Sequence, residues 1–200
     1  PPNLTDSPCA CCSAVYVCHS EIPWPSHAAK NSTMRDKPSE NSRQMLRPLE
    51  EGLRALGINP TEVKDVIISH LHYDHAGNLD MFPRARFHVQ DCEMAYATGR
   101  CMCHGVLRHS FDPEDVTTLV RRLYQGHVMF HDGTSEIAPG ITVHLIGGHS
   151  KGLQSVRVKT RRGYVMLAVD AAHFYAHLQQ RRIFPTVYNV GDVLEGYDKV

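Results

Sequence analysis

The run VIISHLHYDHAGN, Val66 to Asn78, ends an apolar stretch with three histidines and an aspartate inside six consecutive residues. Four ligand-type side chains (His70, His72, Asp74 and His75) in one short loop after a buried strand have no packing purpose of their own. In an extended segment, His70 and His72 project to the same side, so two imidazoles can share one cation. A tight turn through Tyr73 then presents Asp74 and His75 to a second cation nearby. Imidazole suits zinc and other borderline first-row ions, and a carboxylate among imidazoles is common where the metal also holds a water.

Two further candidates close predicted strands. His149 lies in LIGGHSKG, where the double glycine lets the backbone turn sharply and bring the imidazole inward. Asp170 ends the apolar run YVMLAVD, and an acid there is costly unless it is paired or metal-bound. Its two oxygens could bridge two ions. His88 and His144, inside other strands, read as hydrogen-bonded residues of the fold rather than ligands. CACC (Cys9 to Cys12) with Cys18, and CMCH (Cys101 to His104), lack paired C-x2-C spacing and give no structural zinc site. Ser150 follows a glycine-histidine turn without a nucleophile-elbow pattern, which argues against a serine hydrolase.

The rest of the chain supplies a mixed scaffold. Residues 1–41 are rich in Pro, Ser and Asn and are left unassigned, either disordered or an aberrant start, with only SAVYVC (Ser13 to Cys18) strand-like. A second unit, 42–200, carries the regular signals. Leu46, Leu49, Leu53 and Leu56 recur at helical spacing, with Pro48 as a break or first turn and Gly57 as a stop. Asn59 caps a short turn opened by Pro60. RFHVQ (Arg86 to Gln90) reads as a strand, DCEMAYATG as a helix capped by Asp91, and Asp112 to Leu123 as a helix with an acidic start and a basic end. Beyond Gly126 the period changes to two, with turns at Asp132-Gly133, Pro139-Gly140 and Arg161-Arg162-Gly163, before AAHFYAHLQQ turns helical. Strands joined mostly by short turns point to an α+β fold of packed sheets with outer helices.

Composition narrows the function classes. The 21 basic residues balance the 21 acidic ones, so the footprint of a nucleic-acid or anionic-membrane binder is absent and a small-molecule substrate fits better. No apolar run approaches the roughly 18 residues of a membrane span. Seven cysteines, an odd number in a chain of 200 residues, argue for a reducing compartment, the cytoplasm.

The H-x-H-x-D-H pattern after a core strand, followed by a histidine and then an aspartate at later strand ends, resembles the metallo-β-lactamase superfamily. Order and context match from about residue 43 to 180. The resemblance implies the four-layer αβ/βα sandwich of that family and two zinc ions, or other first-row divalent metals. It implies that His70, His72 and His149 hold the first and that Asp74, His75 and a bridging Asp170 hold the second. The stretches EEGLRALGINPTEVKDVIISHLHYDHAGN, FHVQDCEMAYATGR, APGITVHLIGGHSKGLQSVRV and LAVDAAHFYAHL look closer to one branch, the N-acyl homoserine lactonases.

For such an enzyme, two ions lower the pKa of a bridging water, giving hydroxide to attack the lactone carbonyl, while a metal on the ring oxygen eases its departure. Asp74 would carry a proton towards that oxygen. Several lactonases of the branch place a tyrosine three residues after the bridging aspartate; here the position holds His173, with Tyr175 as a second candidate stabiliser of the carbonyl oxygen. His173 and His177 also fit a plain pairing at i and i+4 on a helix face. The family opens with strands leading to an aspartate-glycine motif that residues 1–41 lack, and closes with a strand bearing one more metal-ligating histidine, whereas this sequence stops at Val200. The expectation is a fold incomplete at both ends, a fragment acting on a lactone or ester. The alternatives are a glyoxalase-II-like thioesterase or other ester hydrolase, and a degenerate metal-binding module.

Overall fold

The computed structural model describes the backbone of residues 14–16 and the whole of residues 49–200. Two four-stranded sheets make up the described fold. The first is parallel in the order β1 (Ala14–Tyr16), β2 (Asp65–Ile68), β3 (Arg86–Gln90) and β4 (Val128–His131). The second is an antiparallel meander of β5 (Thr134–Ala138), β6 (Ile141–Leu145), β7 (Gln154–Thr160) and β8 (Gly163–Leu167). Asp132 and Gly133 carry the chain from one sheet to the other, so this turn signal is a sheet crossing rather than a hairpin.

Strand β2 is buried on both faces, as the continuous apolar run VII requires of a parallel strand. Val66 and Ile68, with Phe87 and Val89 of β3, join a core completed by Leu71, Leu79, Phe82, Met94 and Leu119. This layer is covered by α1 (Leu49–Ala55), α3 (Asp91–Ala97) and α5 (Pro113–Tyr124). Ile67, the intervening side chain, points the other way and packs with Val143 and Val156 between the sheets. Short helices α2 (Tyr73–Ala76), α4 (Gly105–Arg108) and α6 (Tyr175–Gln180) lie on the connections. The last helix, α7 (Val190–Tyr197), packs so closely on the end of the second sheet that a Cβ on Gly196 would stand 2.7 Å from the Ile146 side chain.

A polar clamp joins the sheets. Buried Gln154 donates both amide hydrogens, to the carbonyls of Ile68 (2.8 Å) and His88 (3.0 Å), and accepts from the Gln90 amide (2.9 Å). Gln90 in turn donates to the Gly133 carbonyl and accepts from the Gly133 N–H, and the Gln154 backbone N–H donates to Ser69. Both glutamines are thus satisfied, the condition under which buried amides stabilise rather than penalise a core. The clamp fixes the end of β2 from which the histidine loop departs.

Local expectations hold with three further corrections. Asn59 caps the Pro60–Glu62 turn and Asp112 caps α5, each through its carboxamide or carboxylate oxygen. Asp91 is instead the first helical residue of α3, behind Gln90, and no side chain caps that end. The tight turn expected through Tyr73 is one turn of helix, Tyr73–Ala76, entered from an extended His72. Asp170 stands three residues past the end of β8, in a 3-10 turn, Val169–Ala171. His173 precedes α6, so it does not share a helix face with His177. The family-like opening motif, the residue 1–41 segment and the helical signal at Leu46 fall largely outside the described residues.

The clamp generates a stability expectation. Gln154→Met keeps the volume but strips two buried carbonyls and the Gln90 amide of partners, and should lower unfolding free energy in urea by about 2–3 kcal/mol. A loss under about 0.5 kcal/mol would show that the sheets do not depend on it.

Candidate metal centre

Each side chain of the histidine-aspartate cluster is delivered by the end of a strand. His70 and His72 leave β2, His149 leaves β6 through two left-handed glycines (φ +77° and +86° at Gly147 and Gly148), and Asp170 follows β8. Glycine is required at 148 for a second reason, since a Cβ there would meet the Val193 backbone nitrogen at 2.5 Å. Helix α2 turns His75 back under His70, where the Ser69 hydroxyl lies 3.2 Å from His70 Nδ1 and 3.4 Å from His75 Nδ1.

The result is two overlapping sets of ligand atoms, His70, His72 and His149 in one and His70, His75 and Asp170 in the other, each within 4.8 Å. Asp170 Oδ2 lies 3.0 Å from His75 Nε2, 3.3 Å from His149 Nε2 and 3.7 Å from His70 Nε2. Asp74 stands further out, its Oδ2 3.7 Å from His75 Nε2, and belongs to neither set. Among the sequence-derived candidates, His70, His72, His75, His149 and Asp170 therefore converge, with Asp74 at their rim.

Hydrogen bonding shows what the cluster lacks. His149 Nδ1 lies 2.7 Å from the Thr186 carbonyl, which can only accept, so Nδ1 carries a proton, and a neutral ring there would present the lone pair of Nε2. That Nε2 is buried without a hydrogen-bond partner among the described residues, and it faces a carboxylate oxygen that is also an acceptor. Two lone pairs at such a distance repel unless a cation lies between them. The donor set of imidazoles and carboxylate suits zinc and its first-row neighbours, so these residues fit a metal.

Electrostatics agrees. Burial, aided by neighbouring imidazoles, holds the pKa of His70 and His72 well below the ordinary value, keeping both rings neutral and able to ligate. Burial opposes ionisation of Asp170, yet the imidazoles of His149 and His75 beside it hold its carboxyl far below the usual carboxylate range. Burial likewise opposes protonation of His75, but the contact with Asp170 outweighs it and raises that pKa.

The two candidate oxygen stabilisers part company. His173 Nε2 lies 3.5 Å from Asp170 Oδ1, its Nδ1 is buried without a partner among the described residues, and its ring packs on Phe184 at 3.9 Å. Burial lowers its pKa. Tyr175 is 81% exposed on α6 and is not gathered into the cluster. Three contributors were invisible to sequence reasoning. Ser69 carried no signal beyond its place in the motif, Phe111 meets the His72 ring edge-on at 4.8 Å from α5's approach, and the Thr186 carbonyl belongs to backbone that any residue type would offer. The described cysteines, Cys92, Cys101 and Cys103, are free thiols and join no ligand set.

Comparison with known proteins agrees with this geometry. Residues 38–186 match the family described as the Metallo-beta-lactamase superfamily. The N-acyl homoserine lactonase AttM of Azorhizobium caulinodans is 29% identical over 153 residues, 74% of this chain and 56% of its own length. An N-acyl homoserine lactonase of Bacillus cereus is 29% identical over 122 residues, 60% of this chain and 43% of its own. A solved N-acyl homoserine lactone hydrolase, with N-hexanoyl-L-homoserine bound at its catalytic metal center, is similar with a TM-score of 0.62 and 25% identity, over 76% of this chain and 57% of its own. The chain thus spans about half the length of the curated relatives it matches.

The shifted groups predict how metal-free protein responds to acid. His70, His72 and His173 resist protonation when folded but accept protons near pH 6.5 when unfolded, so each withdraws stability as pH falls below that value. His75 has the opposite sign, contributing stability below pH 6.5 that is lost as pH rises through its raised folded pKa. Burial lowers His131 and His144 as well, so five histidines oppose one, and chelator-treated protein should lose stability between about pH 7 and 5, by about 1.4 kcal/mol per pH unit for each net proton. Urea midpoints that stay level or rise over that range would contradict the neutral-imidazole cluster.

Proposed function

Because this chain belongs to the metallo-beta-lactamase superfamily, we propose that it carries the metal centre of a metal-dependent hydrolase that opens the ring of N-acyl homoserine lactones. The observation that supports the reading is the convergence of His70, His72, His75, His149 and the Asp170 carboxylate into two overlapping sets of ligand atoms, each within 4.8 Å. The names of the similar proteins supply the substrate class, since they are lactonases of this kind.

In this reading His70, His72 and His149 would hold one zinc ion, and His75, Asp74 and Asp170 would hold a second. Zinc bound there would supply Lewis acidity, making water nucleophilic at neutral pH and stabilising charge on the lactone oxygens. The chain's own residues do the remainder. Thr186 fixes the His149 tautomer, as orienting acceptors behind metal-binding imidazoles commonly do. Asp74, outermost of the carboxylates, is placed to take a proton from the attacking water and pass it to the ring oxygen, which leaves as an alkoxide and must be protonated. His173, kept neutral by burial, lies beside Asp170 and offers a hydrogen bond to the carbonyl oxygen as negative charge develops there. Tyr175 is the weaker position for that role because it faces solvent.

Zinc-loaded protein should open N-hexanoyl homoserine lactone, and chelation should abolish the activity. His72→Ala or Asp170→Ala should lower the rate by roughly a hundredfold or more, the scale of a lost metal contribution. A lactone and a thioester offered together provide the counter-test. Metal-loaded protein that cleaves the thioester and leaves every lactone intact would overturn the substrate assignment.

A further inference from the structure

Glu93 is a fully buried carboxylate on α3, and it lies outside the ligand sets of the metal centre. Its Oε1 accepts from the Leu71 N–H at 2.8 Å and its Oε2 accepts from the Gly152 N–H at 2.7 Å. Leu71 stands between His70 and His72, and Gly152 stands three residues after His149. One side chain therefore ties the two loops that bring His70, His72 and His149 together. The approach is close by construction, because a Cβ on Gly152 would stand 2.4 Å from Glu93 Cβ and 2.5 Å from Glu93 N.

A buried anion is an expensive device for holding two loops. Burial pushes the Glu93 pKa up, and the two amides, then the Ser150 hydroxyl and His149, pull it back down. A neutral core residue would pack there more cheaply. What an apolar side chain could not do is fix the separation and angle of two backbone amides at once.

We infer that Glu93 is a positioning residue for the metal centre, a strut that presets the distance between the His70–His72 segment and the His149 loop before metal binds. The inference rests on the proposed metal site and adds a residue to it. Glutamine is the informative replacement, being isosteric but able to accept from only one of the two amides while its NH2 confronts the other.

The test measures zinc affinity of the chain by competition with a chromophoric chelator at pH 7, for wild type, Glu93→Gln and Leu119→Ala. Leu119 is a fully buried residue of the core that also holds Leu71 and is no member of the ligand sets, so its truncation reports what loosening that core alone does to metal binding. Glu93→Gln should weaken zinc binding by roughly tenfold or more, as changes behind the ligands commonly do, with the folded spectrum retained. Leu119→Ala should bind zinc as wild type does. Equal affinity in wild type and Glu93→Gln, or an equal loss in both variants, overturns the strut while leaving the metal site standing. A wild type that binds no zinc overturns both. Should Glu93→Gln fail to fold, hydrogen exchange on metal-free wild type decides. Protected Leu71 and Gly152 amides support the strut, and exchange as fast as in open loops refutes it.

Discussion

The crowding of four imidazoles around one half-buried carboxylate is the constraint on which the rest of this structure depends. Asp170 has an oxygen within 3.7 Å of three ring nitrogens, and one of those rings, His149, has its other nitrogen already committed to the Thr186 carbonyl. Left to itself such a cluster is penalised by desolvation and by acceptor-acceptor repulsion. It is tolerable when a cation satisfies several lone pairs together, and that requires the ligands to be held at fixed separations by elements that cannot drift. The two sheets meet this need by ending their ligand-bearing strands, β2, β6 and β8, at one place.

Rigidity around the cluster comes from buried polar contacts as much as from apolar packing. Gln154 and Gln90 lock the exit of β2 to the second sheet, and the Gly148 and Gly152 positions admit no side chain against α7 and α3. His149 is held on both sides, by Thr186 through its ring and by the Tyr188 N–H through its loop backbone. Asp74 and His173, the two groups assigned to proton and oxygen handling, sit nearer solvent than the imidazoles they adjoin. This division suits a reaction in which the metal ligands stay put while protons and substrate come and go.

The sequence made some of this legible and concealed the rest for identifiable reasons. His70, His72 and His75 stood out because their signal is local, and His149 and Asp170 because a histidine after two glycines and an acid after an apolar strand conflict with simple packing. Strand β3 was readable to the residue, since alternation within five positions is also local. Glu93 escaped because a glutamate in the first turn of a helix is an ordinary solvent-facing residue until two distant amides are known to meet it. Gln154 escaped in the same way, its partners lying 86 and 66 positions away. Tyr175 was attractive by its nearness to Asp170 along the chain, but the start of α6 turns it outward.

X-ray absorption at the zinc edge, on chelator-stripped protein reloaded with zinc, examines the centre most directly. The account expects a first shell of nitrogen and oxygen near 2.0–2.1 Å, with the outer-shell scattering of several imidazoles and no sulfur. Sulfur scatterers at about 2.3 Å, or no tightly held zinc, would contradict it and turn attention to the cysteines.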